Sequence, residues 1–123
     1  MPPSDYTTAL ADLAAESWRF AEECRRLAQR LDAATQRRFE SKLAYFSKRL
    51  ESCLATAGWS FVNLEGQAFE LGIAASGINV EDYHPDETLV IDQMLEPVIV
   101  GPDGVLRTGK AIVKKAGVGV GAS

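Results

Sequence analysis

Residues 6–34 read YTTALADLAAESWRFAEECRRLAQRLDAA, and the spacing of their apolar positions decides how the chain is organised. Tyr6, Leu10, Leu13, Ser17, Phe20, Cys24, Leu27, Leu31 and Ala34 follow one another in alternating steps of four and three, with Ser17 the sole polar member. Steps averaging about 3.5 residues keep one seam of a helix facing a partner helix, the pattern of a coiled coil or slender bundle. Arg25, Arg26, Gln29 and Arg30 fall on the other faces beside Glu22 and Glu23. Glu22 and Arg26 form an acid-before-base pair four residues apart, worth a few tenths of a kcal/mol. Ser4 or Asp5 is placed to cap the start.

A second seam runs Phe39, Leu43, Phe46, Leu50, Cys53, Ala57 with the same alternation. The step from Ala34 to Phe39 is five, so the two seams are out of phase. Either the helix turns back near Asp32-Ala33-Ala34-Thr35, giving a hairpin, or one long helix continues with a slip in register; the hairpin is favoured. Gly58 ends the second helix. Two such helices have more apolar surface than they can bury alone. Pairing of two hairpins into a homodimeric four-helix bundle is therefore expected. The residues expected at that dimer interface are Leu10, Leu13, Phe20, Leu27, Leu31, Phe39, Leu43, Phe46 and Leu50.

Working outward, all 10 glycines lie at or after Gly58, and neither Pro nor Gly occurs from residue 4 to residue 57. That asymmetry predicts a helical first half and a strand-and-loop second half. Trp59–Leu64 reads as a short strand with a turn at Glu65-Gly66. Residues 67–80 read as a loop with one short turn of helix or strand. Thr88–Leu95, rich in branched residues, is the clearest strand. Pro97 marks a bulge or an edge before Val98–Val100. Gly101-Pro102-Asp103-Gly104 is a turn, and Val105–Arg107 and Ala111–Val113 return from it. The expected class is α+β: a helical hairpin or long helix forming a dimeric bundle, then a small, mostly antiparallel β-domain of three to five strands. The expected divisions are a helical dimerisation region at 1–57, the β-domain at 58–115 and a flexible Gly-rich tail at 116–123.

Composition narrows the function. The 123 residues carry a formal charge of −4. Nine basic groups face eight acids before Gly58, against four and nine from there on. This balance argues against binding driven by neutralising nucleic-acid phosphates. No apolar run approaches the roughly 18 residues of a membrane span, and the first residues do not begin a signal peptide. Two cysteines make no disulfide framework, so reduced thiols and a cytoplasmic location are expected.

No residue pattern announces an active site. Cys24 and Cys53 lie on the apolar seams, where a thiol serves as a small hydrophobe. The single histidine, His84, sits in the loop Glu81-Asp82-Tyr83-His84-Pro85-Asp86-Glu87, whose oxygens suit a hard cation but lack calcium-loop spacing. It reads as a solvated acidic loop. Glu65, Glu70, Asp92 and Glu96 are not forced into any acid–base pair. Arg37-Arg38, Lys42 and Lys48-Arg49 lie at helical spacing away from Phe39 and Leu43, as a solvated basic face. No enzyme activity, cofactor or metal is expected; the chain reads as a binding protein.

Four short stretches resemble a known family. Leu50-x-x-x-Leu54-x-x-x-Gly58 is similar to the end of its last bundle helix, and Glu65-Gly66-Gln67-Ala68-Phe69 to its entry into the β-domain. Glu87–Pro97 is similar to its acid-led strand, and Gly104-Val105-Leu106-Arg107 to its turn followed by an aliphatic-Arg segment. Together they resemble GrpE, the nucleotide-exchange co-chaperone of Hsp70, here divergent and with a shortened N-terminal stalk, over roughly residues 35–115. The resemblance implies a homodimer whose β-domain wedges into an Hsp70-type ATPase domain and releases ADP by favouring its open arrangement. It implies partner contacts at Met94, Leu106 and Arg107. The alternatives are a dimeric, non-catalytic adaptor or scaffold for another protein, and a small enzyme or metal-dependent regulator built on residues 81–87.

Overall fold

The computed structural model describes residues 5–117. The proposed cap at Ser4, the side chain of Asp5 and the tail from residue 118 lie outside the described residues. Helix α1 spans Asp5–Ala28 and helix α2 spans Ala33–Thr56. The chain turns back between them, so the first half is a hairpin and the long-helix alternative is set aside. The turn falls at residues 29–32, slightly ahead of the expected position. Asp32 is the cap of α2: its Oδ1 accepts from the Thr35 N–H at 2.9 Å and its Oδ2 from the Thr35 hydroxyl at 2.8 Å. An Asp that satisfies a free N–H of the first turn starts a new helix without Gly or Pro in the linker. Leu31 therefore lies in the turn and Ala34 in α2, and the seam of α1 stops short of both.

α2 ends in a Schellman arrangement. Gly58, with φ of +78°, donates to Ala55 O, and Trp59 N–H donates to Leu54 O, each at 2.9 Å. Leu54 and Trp59 also share a core, which is the apolar contact that accompanies this cap. Among the described residues the chain then enters seven strands: β1 Ser60–Val62, β2 Ala68–Phe69, β3 Ala75–Gly77, β4 Leu89–Glu96, β5 Val98–Gly101, β6 Gly104–Arg107 and β7 Gly109–Lys115. Three to five strands were expected. The additional ones are β2 and β3, two- and three-residue strands in the Gly-broken stretch, too short to show an alternating pattern.

The strands form two sheets, ordered β1-β5-β6 and β2-β4-β7-β3. All pairings are antiparallel except β3 with β7. Pro97, which has no N–H to give a ladder, separates β4 of one sheet from β5 of the other. Thr108 separates β6 from β7 in the same way. Gly109, opposite this corner, is required by space: a Cβ there would lie 2.7 Å from the Glu96 carbonyl oxygen. The β5–β6 hairpin closes on the Gly101–Gly104 pair around Pro102-Asp103, with Gly104 at φ +123°.

Two cores tie helices to sheets. Ala11, Ala14 and Ala15 of α1 pack with Leu54 of α2 and Ile99 of β5, with Trp59 and Phe61 against them. Leu64, Ile91, Met94, Val98 and Ala111 form the second core, and Trp18 of α1 reaches into it. The helical region and the β-domain thus share buried surface.

Candidate functional site

α1 places small residues inward and large ones outward. Ala11, Ala14, Ala15, Ala21 and Ala28 are buried against the rest of the chain. Methyl groups allow the helix axis to approach the sheet and α2 closely, so alanines satisfy this face. The neighbouring face carries Tyr6, Leu10, Leu13, Phe20 and Leu27, all exposed, with Leu13 at 62% and Phe20 at 66%. The apolar surface of α1 is therefore wider than the rest of the chain covers, and the seam read from the sequence lies on its uncovered part.

Of the residues expected at a dimer interface, Leu10, Leu13, Phe20, Leu27, Leu31 and Phe46 are exposed, and Phe39 and Leu50 are half-buried. Leu43 is a correction: it is buried within the chain itself and has almost no surface to offer. The two seams meet along the hairpin. Leu10, Leu13 and Ser17 of α1 face Leu50 and Cys53 of α2 across an apolar groove of about 220 Å³, floored by Leu54.

The three residues implied as partner contacts on the β-domain have different fates. Met94 is 2% exposed and belongs to the second core, so it presents nothing to a partner. The reason is a break in the β4–β7 register between Ile91 and Gln93. Strict alternation puts residues 91 and 94 on opposite faces; one irregular residue brings both inward. The Glu65 carboxylate accepts the Met94 N–H at 3.0 Å. Leu106 stays partly exposed on β6, an edge strand, beside Val105, which is 51% exposed. Val105 escaped the sequence reading because alternation gives no reason for two adjacent outward apolar residues.

Arg107 is engaged within the chain. Its Nε donates to Asp12 Oδ1 of α1 at 3.0 Å and its Nη1 to Glu96 Oε1 at 2.8 Å. Those hydrogen bonds, with Glu96 first, raise its pKa above the usual value. The guanidinium works as a strut between helix and sheet, rather than as a free edge charge.

Several of the other carboxylates considered in the sequence, Glu65, Asp92, Glu96 and Glu87 among them, also have structural partners. Glu96 meets Lys110 as well as Arg107, and Asp92 meets Lys114 at 3.2 Å. In the acidic loop, Glu87 Oε1 accepts the His84 N–H at 3.2 Å, and Oε2 faces Lys115 Nζ at 3.3 Å. The backbone hydrogen bond, then the Lys115 contacts, hold the Glu87 pKa below the ordinary carboxylate value. His84 Nδ1 accepts the Asp86 N–H at 3.2 Å, which closes the loop on itself. Among the described residues no group of three or more His, Cys, Asp or Glu is placed to hold a metal ion. Cys24 is half-buried and Cys53 exposed, and both are free thiols.

No helix among the described residues is long and apolar enough to cross a membrane. The apolar surfaces left uncovered among the described residues include one face of α1 and the edge strand β6. Neither a protein-family model, nor a curated protein, nor a solved structure matches this chain.

Proposed function

We propose that this chain is a homodimeric binding protein in which two helical hairpins pair through the apolar face of α1 and hold two β-domains outward for a protein partner. The observation that carries the reading is the exposure of Leu10, Leu13, Phe20 and Leu27 on one face of α1, continuous with the groove bordered by Leu50 and Cys53. An apolar stripe of this length is costly to leave in water, and closed two-fold pairing covers it with the same stripe of a second copy. Sedimentation at micromolar concentration should give twice the mass of the chain; a stable monomer of 13.3 kDa overturns the pairing.

The order of parts, hairpin then small β-domain, supports the GrpE-like reading and names an Hsp70-type ATPase domain as the first partner to try. The protein then works by binding, shifting the partner toward the conformation that releases ADP. With Met94 buried and Arg107 tied to Asp12 and Glu96, the contact surface is narrowed to Leu106 and its neighbour Val105. Release of a fluorescent ADP analogue from the host's Hsp70 proteins tests this. Acceleration that saturates with dose supports an exchange factor. No acceleration with any of them leaves the dimeric adaptor, and affinity capture on the intact dimer then identifies its partner.

A further inference from the structure

Helix α2 carries five cations, Arg37, Arg38, Lys42, Lys48 and Arg49, and none has an ion-pair or hydrogen-bond partner among the described residues. The second half of the chain behaves differently. Arg107, Lys110, Lys114 and Lys115 are all paired with carboxylates. At 100° per residue the five cations fall within one arc of about 140°, and no acid lies inside it. The arc also holds Ser41, Tyr45 and Ser52; all eight side chains are exposed, Tyr45 at 69%.

The placement works against the helix that bears it. The first turn of α2 contains no acid, and Arg37 and Arg38 follow directly, so positive side chains stand near the positive end of the helix dipole. The Asp32 carboxylate answers the start of the helix but pairs with neither arginine, so their charges stay available outside the fold. Around Arg37 and Arg38 the surface dips into a shallow depression also lined by Ala34, Ser41 and Lys42.

We propose that this outer face of α2 docks an acidic polypeptide segment. From Arg37 to Arg49 the stripe is about 18 Å long, at 1.5 Å per residue. That suits a few turns of acidic helix or a short extended run of carboxylates. Two other anionic surfaces fit less well. The chain carries −4 overall, with its excess acid in the β-domain, so a long polyphosphate running past the stripe meets repulsion. A lipid surface calls for a broad apolar arc turned toward the acyl chains, but the fold takes up most of that arc on α2: Leu43 and Leu54 are buried, Phe39 and Leu50 half-buried, and Phe46 is left exposed. The surface is distinct from the apolar seam of α1 and from β6, and its use does not depend on which partner the β-domain binds.

The test is fluorescence anisotropy on the full chain at low salt, with a labelled oligo-glutamate of about twelve residues, matched to the length of the stripe. Saturable binding is expected. It should weaken as salt rises, and fall by about tenfold or more in the doubly charge-reversed Arg38→Glu, Arg49→Glu variant. Neither arginine has an ion-pair or hydrogen-bond partner among the described residues, and both are exposed, so the variant should keep its helical circular dichroism. Charge-neutral Arg38→Gln, Arg49→Gln provides a milder check, with an intermediate loss. Glu81→Gln, Asp82→Asn should bind as the unmodified chain does. Absence of saturable binding overturns the proposal, as does equal affinity in the charge-reversed variant. Tighter binding of single-stranded DNA or of phosphatidylserine vesicles than of the peptide also overturns it.

Discussion

Arg107 on β6 and Asp12 on α1, far apart in the chain, meet at 3.0 Å, and the same guanidinium reaches Glu96 on β4 at 2.8 Å. This is an ionic tie between helix and sheet, and Glu96, with a side chain only 17% exposed, depends on it for most of its partnering. Read from the sequence as a surface contact, Arg107→Ala should leave stability alone. The tie changes that expectation. Arg107→Ala should lower the melting temperature by about 3–5 °C, the equivalent of about 1 kcal/mol in a domain of this size. Arg107→Lys should recover less than half, since one ammonium cannot reproduce the fork. Thermal melts of the two variants check it.

The outward face of α1 can be tested without touching the interior. Leu13→Asp with Phe20→Asp places charge where the protomer leaves both side chains exposed. The doubly substituted chain should sediment as a monomer and retain strands and helices by circular dichroism. Leu43→Ala, by contrast, should cost about 2–4 kcal/mol of stability, because Leu43 is buried within the protomer.

Asp32 gives a pH signature. Its hydrogen bonds from the Thr35 N–H and hydroxyl hold its pKa below the ordinary aspartate value. A carboxylate with a depressed folded pKa contributes stability that is fully present above its unfolded value of about 3.9. That contribution is lost as pH falls through the folded pKa. Asp32→Ala should therefore melt a few degrees lower than the unmodified chain at pH 6, and the gap should narrow as pH drops below about 4. A gap that stays constant across this range contradicts the ionised cap.

Gly109 sits where two strand corners nearly touch. Gly109→Ala drives a Cβ to 2.7 Å from the Glu96 carbonyl oxygen and from the Met94 side chain. The backbone cannot yield there as a flexible side chain could. A loss of about 1–3 kcal/mol is expected, read as a lower urea midpoint.

Met94 separates a core role from a contact role. Met94→Ala should cost about 2–4 kcal/mol, while Met94→Leu should cost less than about 1.5 kcal/mol. Neither should change partner affinity at temperatures where the chain stays folded. Loss of binding in Met94→Leu with stability intact returns Met94 to the contact surface.

Local signals carried the helices, the turns and the main strands. The 3.5 repeat, the absence of Pro and Gly from residue 4 to residue 57, the Gly58 stop and the Gly101-Pro102-Asp103-Gly104 turn are properties of neighbouring residues. The two helical seams, α2's end and the β5–β6 turn follow from them. The spacing favours the hairpin, and the Asp32 cap settles it. The sequence by itself determined the α+β order, the apolar seam of α1 and the basic spacing along α2, because periodicity and turn chemistry act within a few residues. Only the tertiary structure decided which face of α1 is buried. Large side chains look like core in a sequence, yet here the alanines lie inside, since close approach to Ile99 and Leu54 favours small residues. Likewise the irregular register at residues 91–93 turned Met94 inward, and the fold brought Asp12 to Arg107. Each of these outcomes depends on groups distant in the chain, and their distances are set by packing, on which no local pattern bears.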